Sequence, residues 1–270
     1  VDFDYNTTDA IYINASSING VVAGGSGLKV DDVRLTTGFS RYNDASLPAT
    51  YTTEHLGSGH AYSTHLSGSS KSAHTIQHVG DYSRTYDGKF GAGYVFGTAG
   101  GYLRVSPTAD FDVESPKKDY AIEFWWKSDN VAATHTFYTL GNPGASGGMI
   151  FQYWGADATP YLNLRVYTQT PGSYSSFIGS NHQITLVDDT WYHIAMTREG
   201  NDYRAFVDGT QVGATTNDGL SNYFDASDHR AYFLINANQQ NGQITPSTAG
   251  NNTYDGIRFT SDKARYTANF

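Results

Sequence analysis

Five histidines, His55, His60, His65, His74 and His78, fall within 24 residues, and imidazole nitrogen is a ready zinc ligand. Their spacings of 5, 5, 9 and 4 match no closed structural zinc site, and no cysteine is present to complete one, which favours polar loop histidines. Retaining glycoside hydrolysis needs two carboxyl groups about 5 Å apart. Glu54, Glu114, Glu123 and Glu199 are the only glutamates, and no two are close enough in sequence to form such a pair on one strand. Asp188 and Asp189 are adjacent, so on a strand they point to opposite faces. No nucleophile elbow is expected, and nucleophilic hydrolysis has no foothold. These observations exclude the common hydrolytic chemistries and predict a non-enzymatic chain.

Sugar binding needs aromatic rings to lie on pyranose faces, with amide and carboxylate groups at the edges. Trp154 fits that description: it lies among Tyr153, Gly155, Asp157, Tyr161 and Tyr174, in a glycine- and proline-punctuated region where a ring can stand on an exposed rim. Packing of Trp154 in a core or an interface is equally compatible with its neighbours. Trp125, Trp126 and Trp191 sit in apolar strand patterns, which predicts core positions.

Such side chains must be held by strands. The chain of 270 residues has 29 Gly, 21 Tyr and 14 Phe but only 16% charged residues, a composition suited to short strands joined by glycine turns. Ala121–Lys127 puts Ile122, Phe124 and Trp126 on one face and Glu123 and Trp125 on the other, as for a strand covered on both sides. Trp191–Arg198 has the same character. In Tyr161–Tyr167, Leu162, Leu164 and Val166 share one face. Asp208-Gly209, flanked by strand-like Tyr203–Val207 and Thr210–Ala214, is a type I′ hairpin signal. No window sustains a helical period. The expected fold class is all-β, an antiparallel β-sandwich.

The net charge of −9 repels phosphate backbones and anionic lipid, so nucleic acid is not an expected partner. No apolar run approaches the roughly 20 residues of a membrane-spanning helix, so membrane insertion is not expected either. The chain opens at Val1 without a signal-like segment, as a processed or partial piece of a longer protein would.

An internal repeat is present. Asp31–Tyr42 aligns without gaps on Asp255–Tyr266, 224 positions later, with five of twelve residues identical. Upstream, Ile13-Asn14-Ala15 and Asn19-Gly20 match Ile235-Asn236-Ala237 and Asn241-Gly242 at an offset of 222. That period fits one large sandwich rather than a solenoid unit. It predicts two parts: residues 1–48 as the last strands of a preceding copy, and residues 49–270 as a complete copy, with the Pro48 region as linker.

Several segments are similar to laminin G-like domains of the concanavalin A-like jelly-roll type. Lys89–Phe96, Gly100–Val105 and Tyr120–Lys127 resemble their opening strands. Trp191–Arg198 followed by Phe206-Val207-Asp208-Gly209 resembles a Trp-His-His-Val-Ala-Val-Thr-Arg strand and its hairpin, and Asp255–Phe259 with Ala264–Phe270 resembles the closing strand and its Ala-Arg-Tyr-Thr tail. The resemblance implies a concanavalin A-like jelly roll. It also implies calcium near the closing strand, which singles out Asp255 and, in the partial copy, Asp31; Gly101 stands where that pattern often has an aspartate. It further implies a surface or structural module of a virion or other extracellular assembly, such as a capsid decoration, tail or fibre component. Its partners would be copies of itself, other virion or surface proteins, and glycans. A carbohydrate-binding adhesin domain is the alternative, and a glycoside hydrolase a distant one.

Overall fold

The computed structural model describes residues 15–18, 21–24, 76–107, 111, 113, 118–145, 147–167, 173–217 and 232–270. The chain divides into two compact units, Val1–Asp44 and Ala45–Phe270. In the first unit the described residues form one antiparallel hairpin, β1 (Ala15–Ile18) and β2 (Val21–Gly24). The repeat segment Asp31–Tyr42, the linker around Pro48 and four of the five clustered histidines lie outside the described residues.

The second unit is built of strands, and none of its described residues is α-helical. In chain order they are β3 (Ile76–Gly88), β4 (Gly91–Val105), β5 (Tyr120–Ser128), β6 (Thr134–Asn142), β7 (Gly147–Trp154), β8 (Tyr161–Tyr167) and β9 (Tyr174–Ile178). There follow β10 (Tyr192–Glu199), β11 (Asp202–Val207), β12 (Thr210–Asn217), β13 (Tyr232–Ile235), β14 (Ala237–Gln240), β15 (Gln243–Pro246) and β16 (Asn252–Ser261). The hydrogen-bonded path β12-β11-β10-β5-β16-β4-β13-β6-β7-β8-β9 is antiparallel throughout, with β3 paired to β4.

β4 carries this path from one layer of the sandwich to the other. Its Tyr94–Phe96 segment pairs with β16, whereas Leu103–Val105 pairs with β13. The chain bends between them at a run containing Gly97, Gly100 and Gly101. Gly101 has a steric reason: a Cβ there would lie 2.0 Å from the Asp81 carbonyl oxygen of β3. The aspartate that the family pattern often has at this position cannot fit.

The inward faces are those that the strand alternation marks. Tyr120, Ile122, Phe124 and Trp126 of β5 and Leu162, Leu164 and Val166 of β8 are each at most 2% exposed. Rings join the layers: Phe137 lies 5.3 Å from Phe124 and 5.2 Å from Trp126, and Phe233 lies 5.9 Å from Phe259. Near the two ends of the path, Phe177 of β9 stacks on Tyr203 of β11 at 4.6 Å. The Asp208-Gly209 turn has positive φ at both residues, the geometry of a type I′ hairpin, and Val207 pairs with Thr210 across it.

Candidate functional site

Three outer surfaces remain, and two of them carry chain laid over the sheet. The outer face of β5, β10, β11 and β16 lies under the C-terminal segment. The Thr197 hydroxyl donates to the Tyr266 carbonyl, Phe270 N–H donates to the Gly209 carbonyl, and the Tyr266 and Phe270 rings stack at 3.6 Å over Phe206. Phe206, on the side of its strand opposite the core, is thereby fully buried. Trp125 and Trp191, expected in the core, are instead partly exposed on this side of the molecule. Lys89 lies over the Trp125 ring and Lys127 over the Trp191 ring. Only Trp126 among those three occupies the core.

Under this tail lies Glu123, 4% exposed. Its carboxylate accepts the Tyr266 hydroxyl and faces His193 Nε2 at 3.2 Å, Arg265 Nε at 2.9 Å and Arg258 Nη1 at 3.4 Å. Burial pushes the carboxyl up, but the hydrogen bonds from His193 and Tyr266 and the two guanidinium charges hold it net below its ordinary value. It is a neutralised, enclosed carboxylate that clamps the tail.

The outer face of β4 and β13 is covered by the β14–β15 hairpin, which encloses Tyr102, Leu234 and Ala237 with Ile244. The Thr139 hydroxyl ties β6 to this hairpin through the Ala237 carbonyl at 2.8 Å.

The third surface is the outer face of β7, β8 and β9, opposite Leu162, Leu164 and Val166. Alternation along β8 puts Tyr161, Asn163, Arg165 and Tyr167 there, and the register sets Trp154 beside Tyr161, Gln152 beside Asn163 and Tyr174 beside Tyr167. The result is one continuous stripe. Trp154 and Tyr161 rings are 5.4 Å apart, the Arg165 guanidinium lies 5.0 Å from the Trp154 ring and 5.5 Å from the Tyr174 ring, and Tyr174 lies 5.1 Å from Tyr167.

Beneath the stripe, two buried amides fix its orientation. Gln152 Oε1 accepts from both Trp154 Nε1, at 3.1 Å, and Arg165 Nη2, at 3.0 Å, while its own amide donates to Thr136 Oγ1. Asn163 Oδ1 accepts from Arg165 Nε at 2.9 Å. Tyr174 is 50% exposed, and Trp154 and Arg165 are partly exposed, so the stripe meets solvent along its middle.

Of the residues that sequence reasoning grouped around Trp154, the structure brings Tyr161 and Tyr174 onto this face. Asp157 is exposed in the turn after β7, and its charge, after burial, helps raise the Tyr161 hydroxyl above its ordinary value. Tyr153 goes the other way: strand alternation turns it inward, 1% exposed, with Leu186 N–H donating to its hydroxyl and its ring 6.3 Å from Trp126. Gln152, Asn163, Arg165 and Tyr167 were missed, although the alternation that marks Leu162, Leu164 and Val166 as inward also marks three of them as outward.

The calcium expectation rests on Asp255, since Asp31 lies outside the described residues. The residues around Asp255 do not fit a calcium cage. Its carboxylate accepts Phe90 N–H and Gly256 N–H, each at 2.7 Å, the side chain is 6% exposed, and no group of three metal-ligating side chains occurs among the described residues. The carboxylate instead pins the β3–β4 turn to β16. His78 stacks on Tyr82 at 4.9 Å, away from any such group. Gly144-Ala145-Ser146-Gly147-Gly148 spells the pattern of a nucleophile elbow, but it joins two antiparallel strands where the elbow needs a strand followed by a helix.

A family model described as the concanavalin A-like lectin/glucanases superfamily, of laminin G type, matches residues 96–250, more than half of the chain. No curated protein matches significantly in sequence. Among solved structures, the chain is similar to a botulinum neurotoxin serotype D/C binding domain, at 10% identity and a TM-score of 0.48 over 69% of this chain and 43% of that one. It is also similar to the botulinum neurotoxin serotype C1 binding domain, at 13% identity and a TM-score of 0.47 over 69% and 42%. Domain 4 of AbnA, a GH43 extracellular arabinanase from Geobacillus stearothermophilus solved with arabinotriose, is similar at 14% identity and a TM-score of 0.44 over 67% and 82%. The chain spans less than half the length of the two toxin chains.

Proposed function

Since the chain belongs to the concanavalin A-like lectin/glucanases superfamily, we propose that it is a non-enzymatic surface module that holds glycans on the outer face of β7–β9, within a virion or other extracellular assembly. The observation that carries the binding reading is the stripe in which Trp154, Arg165 and Tyr174 stand partly exposed above the locked amides of Gln152 and Asn163. Aromatic faces beside oriented polar groups are what a sugar ring requires. The tail clamp on Glu123 supports the non-enzymatic half: a carboxylate held by two arginines, a histidine and a tyrosine, and shielded from solvent, is poorly placed to donate or accept a proton at a substrate.

A tandem arrangement of such modules is supported by the two hairpins. β1 and β2 stand 222 positions before β14 and β15, with equal strand lengths and the same register: Ala15 pairs with Gly24 as Ala237 pairs with Pro246. In this reading residues 1–48 are the end of a preceding copy.

A glycan array probed with the whole chain tests the binding reading, followed by titration of any retained glycan against Trp154→Ala. The expected result is retention with a roughly tenfold weaker variant, about 1.4 kcal/mol. Retention of no glycan, or unchanged affinity in the variant, overturns it.

A further inference from the structure

Resting on the glycan-binding reading, we infer that the sugar held on this face is acidic and that Arg165 recognises its anionic group. A partly buried guanidinium normally faces a carboxylate, because its charge is costly to take out of water unpaired. Arg104 meets the Gln77 amide oxygen and the Tyr232 ring, but three other arginines of the sandwich face carboxylates: Arg204 faces Glu199 and Asp202, and Arg258 and Arg265 face Glu123. Arg165 faces none among the described residues. Its partners are neutral: Asn163 Oδ1, Gln152 Oε1, the Tyr167 hydroxyl at 3.5 Å, and the rings of Trp154 and Tyr174.

These contacts use three of the five N–H groups a guanidinium carries and, among the described residues, leave two for a ligand. They also fix the plane of the fork between two rings. Arginine held in this way takes carboxylate or sulfate oxygens in paired hydrogen bonds, and it does so without losing side-chain freedom on binding. The specificity lies in that local charge, since the chain as a whole is acidic at −9 and offers an anionic polymer no general attraction. Trp154 and Tyr174 flank the guanidinium, so a saccharide seated by its anionic group has a ring surface on either side.

Titration of the whole chain with paired probes tests this: oligogalacturonides against their carboxyl-reduced counterparts, and dextran sulfate against dextran. The expected result is at least tenfold tighter binding of one acidic probe than of its neutral partner, weakening with added salt, with the pair that shows it separating carboxylate from sulfate. Arg165→Gln abolishes the preference: within that variant the acidic probe binds no tighter than its neutral partner. Arg165→Lys, which keeps the charge but not the fork, reduces it. If the glutamine variant does not fold, the lysine variant and the salt dependence decide. Equal affinity for acidic and neutral partners overturns the inference and leaves the glycan-binding reading standing; binding of none of the probes or of any array glycan removes both.

Discussion

The Tyr266 hydroxyl donates a hydrogen bond to the Glu123 carboxylate across 143 positions of sequence, joining the tail of the chain to the strand at the centre of its layer. The same carboxylate is the meeting point of His193, Arg258 and Arg265, so one buried charge organises four groups from three parts of the chain.

Tyr266→Phe removes one bond from this group without removing the ring stacked on Phe270, and the expected cost is about 1–3 kcal/mol. Glu123→Ala removes the anion and leaves Arg258 and Arg265 facing each other, with an expected cost of about 3–5 kcal/mol. Urea denaturation gives both values. A Glu123→Ala protein as stable as Tyr266→Phe would show that the arginines rest in solvent instead.

Stability should fall in two stages on acidification. Burial lowers His135 and His182 below 6.5, so the unfolded chain takes up protons first, and stability declines from about pH 6.5 through their lower folded values. Glu123 is held net below 4.5 and begins to contribute its own loss only under that pH. Denaturation midpoints measured from pH 7 to pH 3 should show both slopes, with His135→Gln and His182→Gln flattening the upper one and Glu123→Gln the lower.

Asp255→Ala frees Phe90 N–H and Gly256 N–H from their shared acceptor, with an expected cost of about 1–3 kcal/mol. A chelator added to the parent protein should leave its thermal midpoint unchanged, because both oxygens accept backbone amides. A midpoint that drops on chelation and returns with calcium would contradict that assignment of Asp255.

Gly101→Ala places a methyl group 2.0 Å from the Asp81 carbonyl, backbone against backbone, where neither side can yield by rotation. The expected cost is about 3 kcal/mol. Gly200→Ala, at a positive φ of 56° with open space around the added atom, serves as the control at about 1–2 kcal/mol. Equal losses at both positions would place the effect in backbone conformation and not in the approach of β3 to β4.

Strand identity, face assignment and the tight turn were legible in the residues themselves. The alternation in Ala121–Lys127 and Tyr161–Tyr167 marks two faces because successive side chains of a strand point apart, and Asp208-Gly209 announces its hairpin because both residues adopt positive φ. The matching pairs at residues 13–20 and 235–242 marked a repeat offset of 222, and the hairpins β1–β2 and β14–β15 stand at that same offset. What alternation cannot state is what lies over each face. Glu123 and Arg165 are both polar residues on outward faces of apolar strands, yet one meets two arginines, a histidine and a tyrosine and the other meets rings, amide oxygens and a tyrosine hydroxyl. Trp154 and Tyr153 are neighbours in sequence on opposite sides of one sheet. Those distinctions arise from contacts over 100 positions apart or from the register of neighbouring strands, and only the packed layers bring them into being.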